Sequence, residues 1–357
     1  MAYQDRRAAV REGARTAALD LLLVTSPANV RYLCGFTGSS GWLLLSDEQQ
    51  LLLTDGRYAE QALGEAPGVD VRIASRGLVG LLCEVVEPMR NPRLGLEAEC
   101  VSVAQQQRLA EKISAEWIST RDLVEKVRQS KDVGEVGAIR EALRLAETVL
   151  CKVVSDLEPG CSERDVAAGI EYACRKGGAD EMAFETIVAS GPRTALPHAG
   201  AGDRELVRGE PVMIDMGCRV NGYCSDITRM VWLGDTVDAE AEELHRLVFA
   251  AQEAAIAEVR AGIPAADVDC AARRVIIEAG YGEAFVHGTG HGVGLEIHEA
   301  PAVSGRSEDL LVAGAVMTIE PAVYLPGKVG VRLEDMVCVR EGGCDRLTTL
   351  GTEPMLA

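Results

Sequence analysis

The sequence predicts two domains, an α/β N-terminal domain followed by an α+β domain built from two ααββ halves. Three observations predict it. A chain of 357 residues exceeds what one hydrophobic core usually carries. Roughly the first 125 residues alternate short apolar runs with helical stretches, the pattern of a small α/β layer. Beyond about residue 132 an order of two helices, a strand and a hairpin occurs twice.

In the first domain the strands are read at Leu21 to Val24, Trp42 to Leu45, Leu51 to Thr54 and Val69 to Ile73, with a helix at Leu78 to Met89. A charged amphipathic stretch from Val124 to Asp132 separates the domains, so the boundary lies at 126 to 132, giving 1–126 and 132–357. Helices are expected at 134–157 and 163–176, then a strand at Phe184 to Ala189 and a hairpin from Pro211 to Leu233. The second half repeats this with helices at 239–260 and 265–279, a strand at Phe285 to His287 and a hairpin from Val316 to Val339.

Composition narrows the function classes. A net charge of −19 argues against a sequence-independent grip on nucleic acid, which needs a basic face for phosphates. The N-terminal stretch lacks the apolar centre of a signal peptide, and no apolar run is long enough to span a bilayer. Eleven cysteines without a Cys-x-x-Cys pair read as small hydrophobes in a reducing compartment, so a soluble, cytoplasmic protein is expected.

The hairpins place the chemistry. Asn221-Gly222 is a two-residue turn signal, and such a loop sets Asp215 opposite Thr228. Strand alternation then puts Asp226 on the face of Asp215, a diagonal neighbour at roughly 7–8 Å, while Val212, Ile214 and Met216 pack the other face. A turn centred on Gly327 sets Glu320 opposite Glu334, with Arg332 beside Glu334 as an orienting residue. Four like charges held together want cations between them. Four carboxylates and one neutral imidazole balance two divalent ions, which can share a bridging hydroxide.

Of the five histidines, four lie in two motifs, Pro197-His198 and His287-Gly-Thr-Gly-His291-Gly-Val-Gly-Leu-Glu-Ile-His298-Glu299. Glycines 288, 290, 292 and 294 are read as letting the backbone pass close to an ion; they lack the context of a dinucleotide fingerprint. His245 reads as a plain helix residue.

These motifs, with Ile214-Asp215-Met-Gly, Gly222-Tyr-Cys-Ser-Asp226-Ile-Thr-Arg229, Thr318-Ile-Glu320-Pro and Gly330-Val-Arg332-Leu-Glu334-Asp, resemble the pita-bread metallopeptidases, the family of methionine aminopeptidase, aminopeptidase P and prolidase. The resemblance implies the metal ligands Asp215, Asp226, His291, Glu320 and Glu334. It implies His198 and His298 over the scissile carbonyl, and Glu320 as the group that moves the proton to the leaving nitrogen. His287, Tyr223 and Arg332 are read as substrate-binding residues. The oxygen-rich set suits Mn(II), with Co(II), Zn(II) or Fe(II) as alternatives.

Asn29-Val-Arg-Tyr32-Leu-Cys-Gly35-Phe36 and Thr54-Asp55-Gly-Arg57-Tyr58 resemble the creatinase-type N-terminal domain of aminopeptidase P and prolidase, which implies a homodimer and proline-containing peptide substrates. The Xaa-Pro bond is a tertiary amide without an N–H. Ala302 follows His298-Glu299-Ala300-Pro301 where archaeal prolidases carry an arginine, so the reading leans to aminopeptidase P, with prolidase as the alternative and Arg306 a weak substitute. Metal-free creatinase-like hydrolases and non-catalytic pita-bread binding modules have lost ligands that this chain retains.

Overall fold

Continuous leucine-rich runs build the centre of the first sheet, because strands apolar on both faces need cover on both sides. The computed structural model of the chain describes residues 1–234 and 238–357, and these divide into two units, Met1–Arg128 and Gln129–Ala357. In the first unit the sheet runs in the order Asp70–Ala74, Gln50–Asp55, Gly41–Leu45, Leu21–Val24, Arg93–Glu97, Glu116–Thr120. Leu21–Val24 pairs antiparallel with Gly41–Leu45 and parallel with Arg93–Glu97. The last two strands are absent from the sequence reading; Glu116–Thr120 has no buried residue before Thr120, whereas Arg93–Glu97 is buried from Leu94 on.

The second unit starts with a capped helix. Asp132 accepts from the N–H groups of Gly134 and Glu135, and Glu135 returns a bond to the Asp132 N–H, closing a capping box before Val133–Ser155. Ser162 caps Glu163–Lys176 in the same way. Asp238 caps Ala239–Glu258, and Ala265–Glu278 follows. The strands between form a four-stranded sheet, in which Pro211–Met216 and Ile227–Trp232 are central, and a five-stranded one containing Val316–Ile319 and Asp335–Arg340.

A pair of equivalent polar clamps displays the pseudo-symmetry. Glu163, near the start of the first half's second helix, accepts from the N–H and Oγ of Ser190 and from Arg193. Asp269, near the start of the corresponding helix, accepts from the N–H and Oγ1 of Thr289 and from Arg273. Both acids are fully buried, and each is viable because both of its carboxylate oxygens are hydrogen-bonded and an arginine pairs with it.

Two expected strands shift. The first is Ile187–Ser190 rather than Phe184 to Ala189. Phe285 to His287 is not a strand: Arg273 donates to the carbonyls of Phe285 and His287, taking the acceptors a ladder would use, and the strand falls at Gly290–Gly292. The Met355–Leu356 strand, parallel to Ile227–Trp232, is too short to show periodicity.

His245 is a core residue, 4% exposed, its ring 5.7 Å from that of Trp232. Burial lowers its pKa from 6.5 to about 4. The unfolded chain therefore takes up a proton below pH 6.5 that the folded chain refuses, so stability is full above 6.5 and is lost as the pH falls toward 4. His245→Leu is expected to lose roughly 1–3 kcal/mol less than wild type between pH 7 and pH 4.5 in urea unfolding; equal losses would remove His245 from the acid response.

Candidate active site

The first hairpin has the register its loop predicts. Asp215 pairs with Thr228, Val220 with Tyr223, and the turn residues Asn221 and Gly222 have φ of 51° and 81°. The ladder breaks at Gly217 and Asp226, where a side chain on Gly217 would meet the Ser225 carbonyl at 2.0 Å. Asp226 lies at that break, 4% exposed and pointing into a cavity of about 440 Å³.

The second hairpin keeps one register through two sheets. Ile319 pairs with Asp335 in one, and Ala322 with Arg332 in the other. Glu320 and Glu334 fall in the gap between. There the Glu320 N–H donates to the Thr289 carbonyl and the Glu334 N–H to that of Thr228, so their backbones bond to neighbouring strands while their side chains enter the same cavity. Alternation along the strand also brings Tyr324 to this face.

Oriented side chains surround the carboxylates. Arg332 donates through Nη2 to Asp215 Oδ2 (2.5 Å), through Nε to Thr228 Oγ1 (3.2 Å), and through Nη1 to the Tyr324 hydroxyl (2.7 Å) and the Pro197 carbonyl (3.0 Å). Thr228 donates in turn to Glu334 Oε2. Thr318 accepts from the His291 N–H and donates to Glu320 Oε1. Arg229, fully buried, fixes the Glu334 carbonyl, Asp335 and the Gly351 carbonyl.

The histidines are set by their carbonyl partners. His291 Nδ1 faces the Gly292 carbonyl, which can only accept, so the proton is on Nδ1 and the lone pair of Nε2 points 3.4 Å from Glu320 Oε1 and 3.6 Å from Asp226 Oδ2. His287 Nδ1 likewise faces the Gly288 carbonyl, leaving Nε2 to accept from Tyr324. Burial lowers both histidines to about 4, keeping them neutral.

The glycine run lets backbone segments pack closely. A Cβ on Gly290 would lie 2.0 Å from the Thr318 carbonyl, on Gly292 2.2 Å from that of Ala300, and on Gly294 2.5 Å from the Glu299 carboxylate.

Donor chemistry and electrostatics fit a divalent metal centre. Oxygen or nitrogen atoms of Asp226, His291 and Glu334 come within 4.8 Å of one another. A lone pair facing two carboxylates is repulsive without a cation, and Asp215 Oδ1 is buried without a hydrogen bond. Burial, then the neighbouring acids, raise Asp226 and Glu334 well above the usual carboxylate range, and burial lifts Glu320 to about 7. Bound cations reverse that cost.

Residues 137–341 match metallopeptidase family M24, and residues 6–130 match the creatinase/prolidase N-terminal domain. The chain belongs to metallopeptidase family M24. It is 36% identical to the Xaa-Pro dipeptidase of Pyrococcus furiosus over 93% of this chain and 94% of that protein. The structure of an Xaa-Pro dipeptidase from Bacillus anthracis superposes with a TM-score of 0.96 at 35% identity, covering 100% of both chains. That of an X-Pro aminopeptidase from Thermotoga maritima gives 0.90 at 38% identity, covering 97% of this chain and 100% of that one.

This M24 cavity is lined by His198, Asp215, Asp226, His287, His291, His298, Glu320, Arg332 and Glu334. Tyr223 is a correction to the sequence reading. It does not line the cavity; its hydroxyl donates to Glu135 Oε1 at 2.8 Å, and its ring packs on the core beneath the sheet. Arg306 is exposed and also outside the lining. Tyr324 was missed although period-two alternation from Glu320 puts it on the carboxylate face; Phe184 and Glu185 carried no such signal.

Removing the Tyr324 hydroxyl leaves His287 Nε2 and one Arg332 donor unpaired in a buried site. Tyr324→Phe is expected to lower unfolding free energy by roughly 1–3 kcal/mol in urea titrations, and an unchanged midpoint would refute that cost. Chelation is expected to lower the melting temperature and divalent cation to restore it, by about 2.7 kcal/mol at a hundredfold excess over Kd; calorimetry that sees no shift, with no metal in elemental analysis, would refute the metal centre.

Proposed function

We propose that the chain is a metal-dependent exopeptidase that hydrolyses the Xaa-Pro bond at a free N-terminus, in the manner of aminopeptidase P. Arg332 carries the choice between subclasses: among the described residues it is the only Lys or Arg lining the cavity, and its donors are committed to Asp215, Tyr324, Thr228 and Pro197. A dipeptidase needs a cation for the substrate carboxylate one residue past the cut. None among the described lining residues is unengaged. The prolidase alternative is supported by relatives named Xaa-Pro dipeptidase.

In this reading Asp215, Asp226, His291, Glu320 and Glu334 hold two divalent ions, Mn(II) ahead of Co(II), Zn(II) and Fe(II). Bound cations of this kind supply Lewis-acid polarisation of the scissile carbonyl and lower the pKa of water. Glu320 takes up a proton from the attacking water at its carboxylate and delivers it to the proline nitrogen, which has no N–H and must be protonated to leave. His198 and His298 offer ring N–H groups to the developing oxyanion. His287, with both nitrogens engaged, presents its ring to the proline-side pocket. The reading includes a domain boundary at 126–132, a homodimer and a cytoplasmic location; among the described residues no helix is long and apolar enough to cross a membrane.

The test is turnover of an Xaa-Pro dipeptide and an Xaa-Pro-Yaa tripeptide by Mn-loaded protein. The tripeptide is expected to have the higher kcat/KM. Cleavage confined to the dipeptide would make the chain a prolidase, and no cleavage of either would remove the Xaa-Pro reading.

A further inference from the structure

Lys131 lies in the charged amphipathic stretch Val124 to Asp132, yet its side chain is 1% exposed. The backbone there is stitched down: the Lys131 N–H donates to the Gly314 carbonyl at 3.0 Å and Ser130 Oγ to that of Ala313 at 2.8 Å. Lys131 Nζ sits 2.6 Å from Glu299 Oε1, and the Glu299 side chain is 6% exposed. The other Glu299 oxygen accepts from the Glu296 N–H at 3.4 Å. One carboxylate thus closes the turn Glu296–Glu299 and ties it to Lys131. Gly294 lies against that carboxylate, where any side chain would collide, and its carbonyl accepts from the Cys224 N–H.

The turn carries Ile297 and His298, both lining the cavity. Neither ring nitrogen of His298 has a hydrogen bond among the described residues; the ring rests against His291 with centroids 4.3 Å apart. Nothing but that contact and the backbone of the turn fixes where it points. A buried ion pair is in itself weak support for stability, since apolar replacements of both partners are often as stable. Its consequence must be sought in what it orients.

We propose that Lys131 is a positioning residue for His298, acting through Glu299, whose carboxylate it pins so that the 296–299 turn holds the imidazole over the cavity. The proposal rests on the reading of His298 as an oxyanion donor. Lys131 touches neither metal ligands nor the cavity, so its effect is transmitted by geometry alone.

The experiment is a double-mutant cycle on Mn-loaded full-length protein with the Xaa-Pro-Yaa tripeptide, using Lys131→Met and His298→Ala. Lys131→Met is expected to lower kcat and kcat/KM alike by about 10- to 100-fold with KM within about twofold. In the His298→Ala background the same change is expected to cost less than about twofold. Equal losses in both backgrounds would overturn the proposal while leaving the role of His298 intact. Full kcat in His298→Ala would overturn that role and the proposal with it. Replacing both partners, Lys131→Met with Glu299→Leu, separates positioning from folding: melting temperature is expected to recover and kcat to stay low, whereas recovery of both would reduce the pair to scaffolding. If Lys131→Met does not fold, Glu299→Gln, which keeps the shape and removes the charge, completes the same cycle.

Discussion

Mutual repulsion among four carboxylates in one cavity, three buried and Glu320 half-buried, is the constraint on which the catalytic unit depends. Asp215, Asp226, Glu320 and Glu334 are each held against their neighbours by strand backbone that bonds elsewhere. The cost is concentrated at ladder breaks. Asp226 sits where the first hairpin loses its pairing, and Glu320 and Glu334 where the second passes from one sheet to another. A break frees the side chain to aim at the cavity without removing a strand from the core, and it is also where a bare sheet would be weakest. Cations are therefore structural as well as chemical participants, because the same charges that bind them oppose folding in their absence.

Around this charge the protein builds a graded set of supports. Arg332 neutralises one carboxylate and, through Tyr324, fixes the protonation of His287. Thr228 and Thr318 pass hydrogen bonds to Glu334 and Glu320. Farther out, Glu163 and Asp269 clamp the two loops that bring His198 and His287 to the cavity, one clamp per half. That repetition gives the pseudo-symmetry a function: two copies of one device present two loops to a site between them.

Much of this was legible because hairpins obey arithmetic. A two-residue Asn-Gly loop and a strict alternation of faces were enough to bring Asp215 and Asp226 together, and a turn at Gly327 did the same for Glu320 and Glu334. What escaped the sequence had no periodic signature. The close packing of the glycine run on Thr318, Ala300 and Glu299 joins distant segments. Tyr223 belonged to a motif and was assigned to substrate, although the register already put it on the helix-packed side. His245 stands on a helix face whose burial depends on Trp232 from another element, so nothing local marked it.

The two proposals about specificity and positioning share one physical premise, that a side chain already saturated with partners cannot also serve a ligand. Arg332 uses its donors inside the protein, so a carboxylate arriving with the substrate would have to displace Asp215, Thr228, Tyr324 or a carbonyl, each displacement leaving a buried group unpaired. His298 is the opposite case. Its nitrogens have no hydrogen bond among the described residues, which leaves them available to substrate, and for that reason its placement must come from elsewhere. An imidazole that spends no hydrogen bond on its own orientation needs a rigid turn beneath it if it is to act on substrate. The Lys131–Glu299 pair supplies rigidity at the one point where the turn closes, without intruding on the face that meets the peptide.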